Sequence, residues 1–151
     1  MLEEFIESDN WEKIYSLKYL MLSDELINPV SLLTLKENRP NLKLFNLYGP
    51  VECTIDVTAY ECEGNEKNVP LGKVADRCYI YIVNKDNKLV PKGYKGEVLI
   101  AGALLGEGYY QSEEEEGDFF TENGVRYFRT GDYGWVDDEG VLYYAGRKDS
   151  F

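Results

Sequence analysis

The chain has 151 residues, 44% of them hydrophobic and 14% aromatic, which is enough to bury a core as one folded unit. Its formal net charge of −12 repels phosphate backbones and anionic lipid, which argues against a nucleic-acid partner or a membrane surface. Histidine is absent and the three cysteines, Cys53, Cys62 and Cys78, lack CxxC spacing, so a zinc site and a histidine relay are excluded and free thiols suited to a reducing cytoplasm remain.

No apolar run approaches the roughly 20 residues that span a bilayer, and the acidic start Met1-Leu2-Glu3-Glu4 lacks the basic region of a signal peptide. Neither export nor anchoring is predicted, and the expected location is cytoplasmic. The first ~45 residues alternate helix and strand, with helical apolar spacing at Leu2, Phe5 and Ile6. The compact apolar run from Leu17 to Leu22 then predicts a buried strand. Asn28 followed by Pro29 predicts a helix start, because asparagine accepts from the first free amides and proline costs nothing at the first helical position; Pro40 stops that helix. A strand from Leu42 to Leu47 completes strand, helix, strand, the unit of a parallel sheet.

From Thr54 onward the texture changes to short β segments: Thr54 to Glu61, Tyr79 to Val83, Gly96 to Ala101, Val125 to Arg129 and Val141 to Ala145. Asn84-Lys85-Asp86-Asn87, Pro91-Lys92-Gly93, Glu122-Asn123-Gly124 and Asp137-Asp138-Glu139-Gly140 carry turn chemistry between them. The fold class expected is α+β: a small α/β part over residues 1–53, a β-rich distorted barrel over 54–145, and a short tail over 146–151. The run Glu113 to Glu116 reads as a solvated face without function.

Three clusters carry chemistry. Asn46-Leu47-Tyr48-Gly49-Pro50-Val51-Glu52 ends a strand in a Gly-Pro turn with an aromatic and a carboxylate. It either forms a structural turn or binds ligand, the ring stacking on a purine and the carboxylate holding a magnesium ion that shields a triphosphate. Phe128-Arg129-Thr130-Gly131-Asp132 places a flexible glycine before a carboxylate whose two oxygens could accept both hydroxyls of a ribose. Gly146-Arg147-Lys148-Asp149 ends either as solvated charge or as a guanidinium that reaches sugar or phosphate oxygens. Gly102, Gly106 and Gly108 have the wrong spacing for a dinucleotide fingerprint, and no helix signal follows them.

In order, these pieces resemble the adenylate-forming (AMP-binding) superfamily. NLYGPVE is similar to its NxYGPTE motif, GEVLIAGALLGEGYY to GELxIxGxxxxxGYx, FRTGD to YRTGD and GRKD to GRxD. Val69-Pro70-Leu71-Gly72-Lys73 resembles the VPIGxP segment, and Ser23-Asp24-Glu25 stands where the superfamily has a GGE-like loop. The similarity is greatest to amino-acid-activating domains of nonribosomal peptide synthetases and to D-alanine:carrier-protein ligases.

The resemblance implies the large N-terminal domain of an enzyme that uses ATP and Mg2+ to activate an amino acid or other carboxylic acid as acyl-AMP. The phosphopantetheine thiol of a peptidyl carrier protein would accept the acid, with neighbouring synthetase domains as further partners. By similarity, Asn46, Tyr48, Gly49, Asp132, Tyr144 and Arg147 bind nucleotide, Tyr48 by stacking on adenine and Asp132 by holding the ribose hydroxyls. Glu52 would be catalytic as the magnesium ligand, and Asp149 the hinge to a C-terminal domain. The acid's pocket maps to Leu20, Leu22, Leu47, Ile55 and Asp56, although Leu20 and Leu22 equally suit core packing. Val51 takes the place of the catalytic threonine of YGPTE and lacks its hydroxyl. An acyl- or aryl-CoA ligase, or a non-catalytic homologue that binds nucleotide or a partner, are the alternative functions. The resemblance also implies that a phosphate loop and a catalytic lysine lie outside these 151 residues, so that the chain alone is inactive.

Overall fold

The computed structural model describes residues 2–8, 10–23, 26–109 and 118–148. Two sheets divide the strands. The first has the order β1 (Tyr19–Ser23), β2 (Lys43–Tyr48), β3 (Thr58–Cys62) and β4 (Lys73–Val74). The second runs β5 (Cys78–Val83), β6 (Gly96–Gly102), β8 (Val125–Val136) and β7 (Phe119–Glu122), with β9 (Leu142–Arg147) also paired to β8. Mixed, sheet-rich architecture with few helices agrees with the expected α+β class.

Strand, helix, strand is realised as β1, α2 (Pro29–Asn38) and β2, with β1 and β2 parallel. Asn28 caps α2 by accepting from the Val30 amide at 2.9 Å, with Pro29 in the first turn. Leu32 and Leu35 are fully buried beneath it and pack with Leu22, Leu42, Leu44 and Cys62 of the sheet side. Burial of each such leucine contributes about 2 kcal/mol. α1 (Leu2–Glu7) covers the same core through Leu2 and Ile6.

β1 is only half buried: Tyr19 and Met21 are 58% and 63% exposed, whereas Leu22 is 3% exposed. An unbroken apolar run signals burial without saying on how many faces. Here α1 and α2 cover one face alone, and β1 lies at the edge of its sheet.

The segment expected to open the β-rich half instead joins the first sheet, since β3 pairs antiparallel with β2, Tyr48 opposite Thr58. The sheets therefore part after Val74 rather than after residue 53. They remain connected through backbone: Leu142 accepts from the Leu71 and Gly72 amides at 2.8 and 3.2 Å and donates to Gly72 O at 2.8 Å. Gly72 has a φ of +107°, and a Cβ there would lie 2.1 Å from Ala59 O, so only glycine fits this junction.

β6 is the buried centre of the second sheet, with β5 and β8 antiparallel on either side. The core beneath it gathers Val57, Leu71, Ile82, Val98, Ile100, Phe128 and Leu142. β8 exceeds the predicted Val125 to Arg129 and runs to Val136. It crosses an irregularity in which Glu97 faces Tyr133 but Leu99 faces Arg129, so Thr130, Gly131 and Asp132 stand against the single Val98. The three cysteines are free and buried.

Candidate functional site

The bulge in β8 explains why the sequence places a carboxylate after Thr-Gly. Gly131 takes a φ of +72°, the left-handed region open to glycine, and the chain turns out of the ladder there. The Thr130 hydroxyl donates to Val98 O at 2.8 Å and accepts from the Asp132 amide at 3.0 Å, which closes the loop from inside. β9 carries its own irregularity beside Tyr133 and Gly134, and its register sets Arg147 opposite Asp132.

Asp132 receives two partners from distant parts of the chain. The Tyr48 hydroxyl, at the carboxyl end of β2, donates to Oδ2 at 2.6 Å. Arg147 Nη1 lies 3.5 Å from Oδ1. Burial pushes the Asp132 carboxyl above the ordinary aspartate range, while the Tyr48 hydrogen bond and the Arg147 charge oppose that rise. Burial, with Asp132 beside it, also drives the Tyr48 phenol upward, so Tyr48 stays a donor.

Tyr48, Asp132, Tyr144 and Arg147 line one cavity of about 250 Å³, together with Leu26, Leu47 and Leu71. Four nucleotide-binding candidates thus converge, though they are 99 positions apart at the extremes, from Tyr48 to Arg147. The cavity has the mixed lining of a small-molecule site: three leucines, two tyrosines, a carboxylate and a guanidinium. Leu26 is not among the predicted site residues because nothing in its local sequence distinguishes a lining leucine from a packing one, and Leu71, within the segment similar to VPIGxP, carried no assigned role.

Asn46 is not part of the lining. It is 3% exposed, and its Nδ2 donates to Pro70 O at 2.7 Å, which ties the 69–71 segment to β2. Gly49 sits where a Cβ would come within 2.3 Å of Ile55 O, so its role here is to let the turn fold against itself. Thr54 and Ile55 both take positive φ, 59° and 75°, unusual for a β-branched residue and a mark of strain beside the site.

The pocket residues expected for the acid separate into two sets. Pairing sets Ser23, not Leu22, opposite Leu47, while Leu22 faces Asn46. Leu22 is buried in the core under α2, and Leu20 packs against that same core, so both side chains take the core-packing role that the sequence equally allowed. Ser23 was missed: its hydroxyl donates to Asp56 Oδ1 at 3.0 Å, which joins β1 to the turn that bears Ile55. Ile55 is exposed and lies outside the lining of the cavity described above. Asp24, Glu25, the Glu113 to Glu116 run and the hinge candidate Asp149 lie outside the described residues.

Val51 is 75% exposed on the short helical turn Val51–Cys53. Glu52, next to it, accepts from the Tyr109 hydroxyl at 2.5 Å, and its backbone O accepts from the Gly106 amide at 2.7 Å. The glycine-rich loop is therefore a brace for the Glu52 turn, held from behind by Arg126, which donates to Gly106 O and Glu107 O at 2.6 and 2.9 Å. Tyr109 escaped notice because its partner lies 57 residues away. No group of three or more His, Cys, Asp or Glu able to hold a metal exists among the described residues. A lone carboxylate nevertheless fits magnesium, which keeps several waters and draws other ligands from substrate phosphates.

A family model described as AMP-binding enzyme matches residues 1–110. The chain belongs to the AMP-binding enzyme family.

Relatives of this AMP-binding chain include tyrocidine synthase 3 of Brevibacillus parabrevis, 34% identical over 155 residues that cover 99% of the chain and 2% of the relative. The D-alanine–D-alanyl carrier protein ligase of Streptococcus pneumoniae is 30% identical, covering 99% of the chain and 29% of the ligase. That of Bacillus licheniformis is 39% identical over 120 residues, 76% of the chain and 24% of the ligase. The chain thus spans less than a third of each of these relatives. Among solved structures, FmoA3, a nonribosomal peptide synthetase, matches with a TM-score of 0.86 and 25% identity over 98% of the chain and 17% of its own. PA1221, a synthetase protein containing adenylation and PCP domains, shares the fold with a TM-score of 0.86 at 22% identity, over 97% of the chain and 31% of its own. Among the described residues no helix is long and apolar enough to cross a membrane.

Proposed function

We propose that this chain forms the adenosine-binding side of an ATP-dependent adenylation site that activates an amino acid for transfer to the thiol of a carrier protein. The observation that carries the reading is the single cavity on which Tyr48, Asp132, Tyr144 and Arg147 converge. In it the Asp132 carboxylate accepts from the two ribose hydroxyls. Tyr48 offers its ring to adenine while its hydroxyl holds Asp132 in place, and Arg147 approaches sugar or phosphate oxygens. The reaction is attack of the acid's carboxylate oxygen on the α-phosphorus of ATP, which forms acyl-AMP and expels pyrophosphate.

Magnesium, when bound with ATP, neutralises charge on the phosphates, and Glu52 is the residue to hold it. Tyr109 orients that carboxylate through its hydroxyl. Relatives that are carrier-protein ligases support a carrier thiol over coenzyme A as acceptor. The test is ATP–pyrophosphate exchange by the complete protein over a panel of amino acids. Exchange that depends on one or a few amino acids is expected, and its absence with every amino acid would sink the reading.

A further inference from the structure

Behind the bulge that carries Asp132 lies an ion pair with no part in the nucleotide contacts. Glu97, on β6, is 6% exposed and pairs through Oε2 with Arg129 Nη1 of β8. The other arm of the guanidinium, Nη2, donates to Asn87 Oδ1 at 2.8 Å, and its carbon lies 5.2 Å from the centre of the Phe120 ring. Glu97 Oε1 is buried without a hydrogen-bond partner.

Stability alone is a weak reason for this arrangement. Removing two charges from water is costly, and an apolar pair of similar volume commonly stabilises as well or better. The position of the pair supplies another reason. Glu97 stands opposite Tyr133, beyond the bulge, whereas Arg129 stands opposite Leu99, before it. A side-chain tie between them spans the opening from which Thr130, Gly131 and Asp132 project. A bulge is a local break in the ladder; Thr130 closes it from inside against Val98 O and β9 pairs with Asp132 along its far edge, while the Glu97–Arg129 pair ties its two ends together on the β6 side.

We propose that Glu97 and Arg129 are positioning residues for nucleotide binding: their buried ion pair clamps the β8 bulge at its base and so fixes the Asp132 carboxylate against the ribose. The proposal rests on the assignment of Asp132 to the ribose hydroxyls. Small displacements of a positioned group are costly, so loosening the clamp is felt at the carboxylate even though neither clamp residue touches ligand.

The experiment measures calorimetric Kd values of the complete protein for ATP and for 2′,3′-dideoxy-ATP, which lacks the hydroxyls Asp132 would hold. Three variants are compared with the unaltered protein. Glu97→Gln keeps the shape and loses the charge, Arg129→Lys keeps the charge and loses the fork, and Asn87→Gly removes only the outer arm at a position whose φ of 57° glycine accepts. Glu97→Gln and Arg129→Lys should weaken ATP about fivefold or more while dideoxy-ATP stays within about twofold, and Asn87→Gly should show the same pattern at about twofold to threefold. In an Asp132→Ala background, Glu97→Gln should add nothing. Equal loss for both nucleotides, or unchanged ATP affinity, would overturn the clamp; should the buried variants fail to fold, Asn87→Gly decides alone. If the unaltered protein does not favour ATP over dideoxy-ATP, the ribose assignment itself fails and takes the clamp with it, a result distinct from equal loss in the variants.

Discussion

Asp132 is held in a place that burial makes unfavourable for a charge, and two residues from elsewhere in the chain, Tyr48 and Arg147, partly offset that cost. Burial holds the carboxyl above the ordinary aspartate range, and in the proposed ribose role the ionised form is the one that accepts. ATP affinity should therefore fall with falling pH through that raised value, earlier than an exposed aspartate would allow. An Asp132→Asn variant should flatten the profile, which Kd measured across the weakly acidic range would check. For folding the sign is the reverse: a carboxyl raised in the fold costs stability while ionised, and the cost disappears as pH falls through the folded value. Asp132→Asn should accordingly raise Tm at neutral pH while it raises KM for ATP about tenfold or more, since each charge-assisted hydrogen bond lost is worth about 1.5 to 3 kcal/mol. Because those contacts exist in ground and transition states alike, kcat should change far less than KM. Glu52→Gln should behave differently and cut exchange by about two orders of magnitude or more, because the charge proposed to hold magnesium is lost where phosphate charge moves.

Among the elements, α2 and the sheet junction are the places where single changes read out clearly. Asn28→Ala removes the cap on the Val30 amide and should cost about 1 kcal/mol, seen as a lower urea midpoint with unchanged slope. Gly72→Ala should cost more, about 3 kcal/mol or beyond, because its Cβ would strike Ala59 O and the residue would hold a positive φ. Measured Tm and urea midpoints check both, and a Gly72→Ala protein as stable as its parent would contradict the junction described. Asn28-Pro29 announced α2 correctly because a cap is local chemistry. The length of β8 could not be read the same way: Thr130-Gly131-Asp132 looks like the end of a strand, and only β6 and β9 on either side make the chain resume beyond it.

For the whole molecule, the same geometry limits what these residues do by themselves. The contacts proposed for the cavity are to adenosine, and contacts equal in ground and transition states leave the barrier where it was. The 151 residues in isolation should therefore give no ATP–pyrophosphate exchange with any amino acid, whereas the complete protein should; side-by-side assay checks this, and robust exchange by the isolated chain would show that its site is complete. Tyr19 and Met21 are exposed on the face of β1 opposite Leu22, a face that a parallel strand usually buries.

Sequence alone determined what is written in local chemistry and in ordered motifs: the helix start at Asn28, the parallel strands around it, the family, and Tyr48, Asp132, Tyr144 and Arg147 as candidates, which the fold brings to one cavity. Those features depend on neighbours in the chain or on several short patterns in fixed order, and neither needs coordinates. Tertiary structure alone decided which face each strand residue occupies. Leu22 and Ser23 differ by one position, and period-2 alternation sends the first to the core and the second to Asp56, a choice that pairing with β2 makes and hydrophobicity does not. It likewise made Asn46 a structural tie and brought Tyr109 to Glu52 and Arg129 to Glu97, because partners separated by 32 or 57 residues meet only when the strands between them are laid side by side.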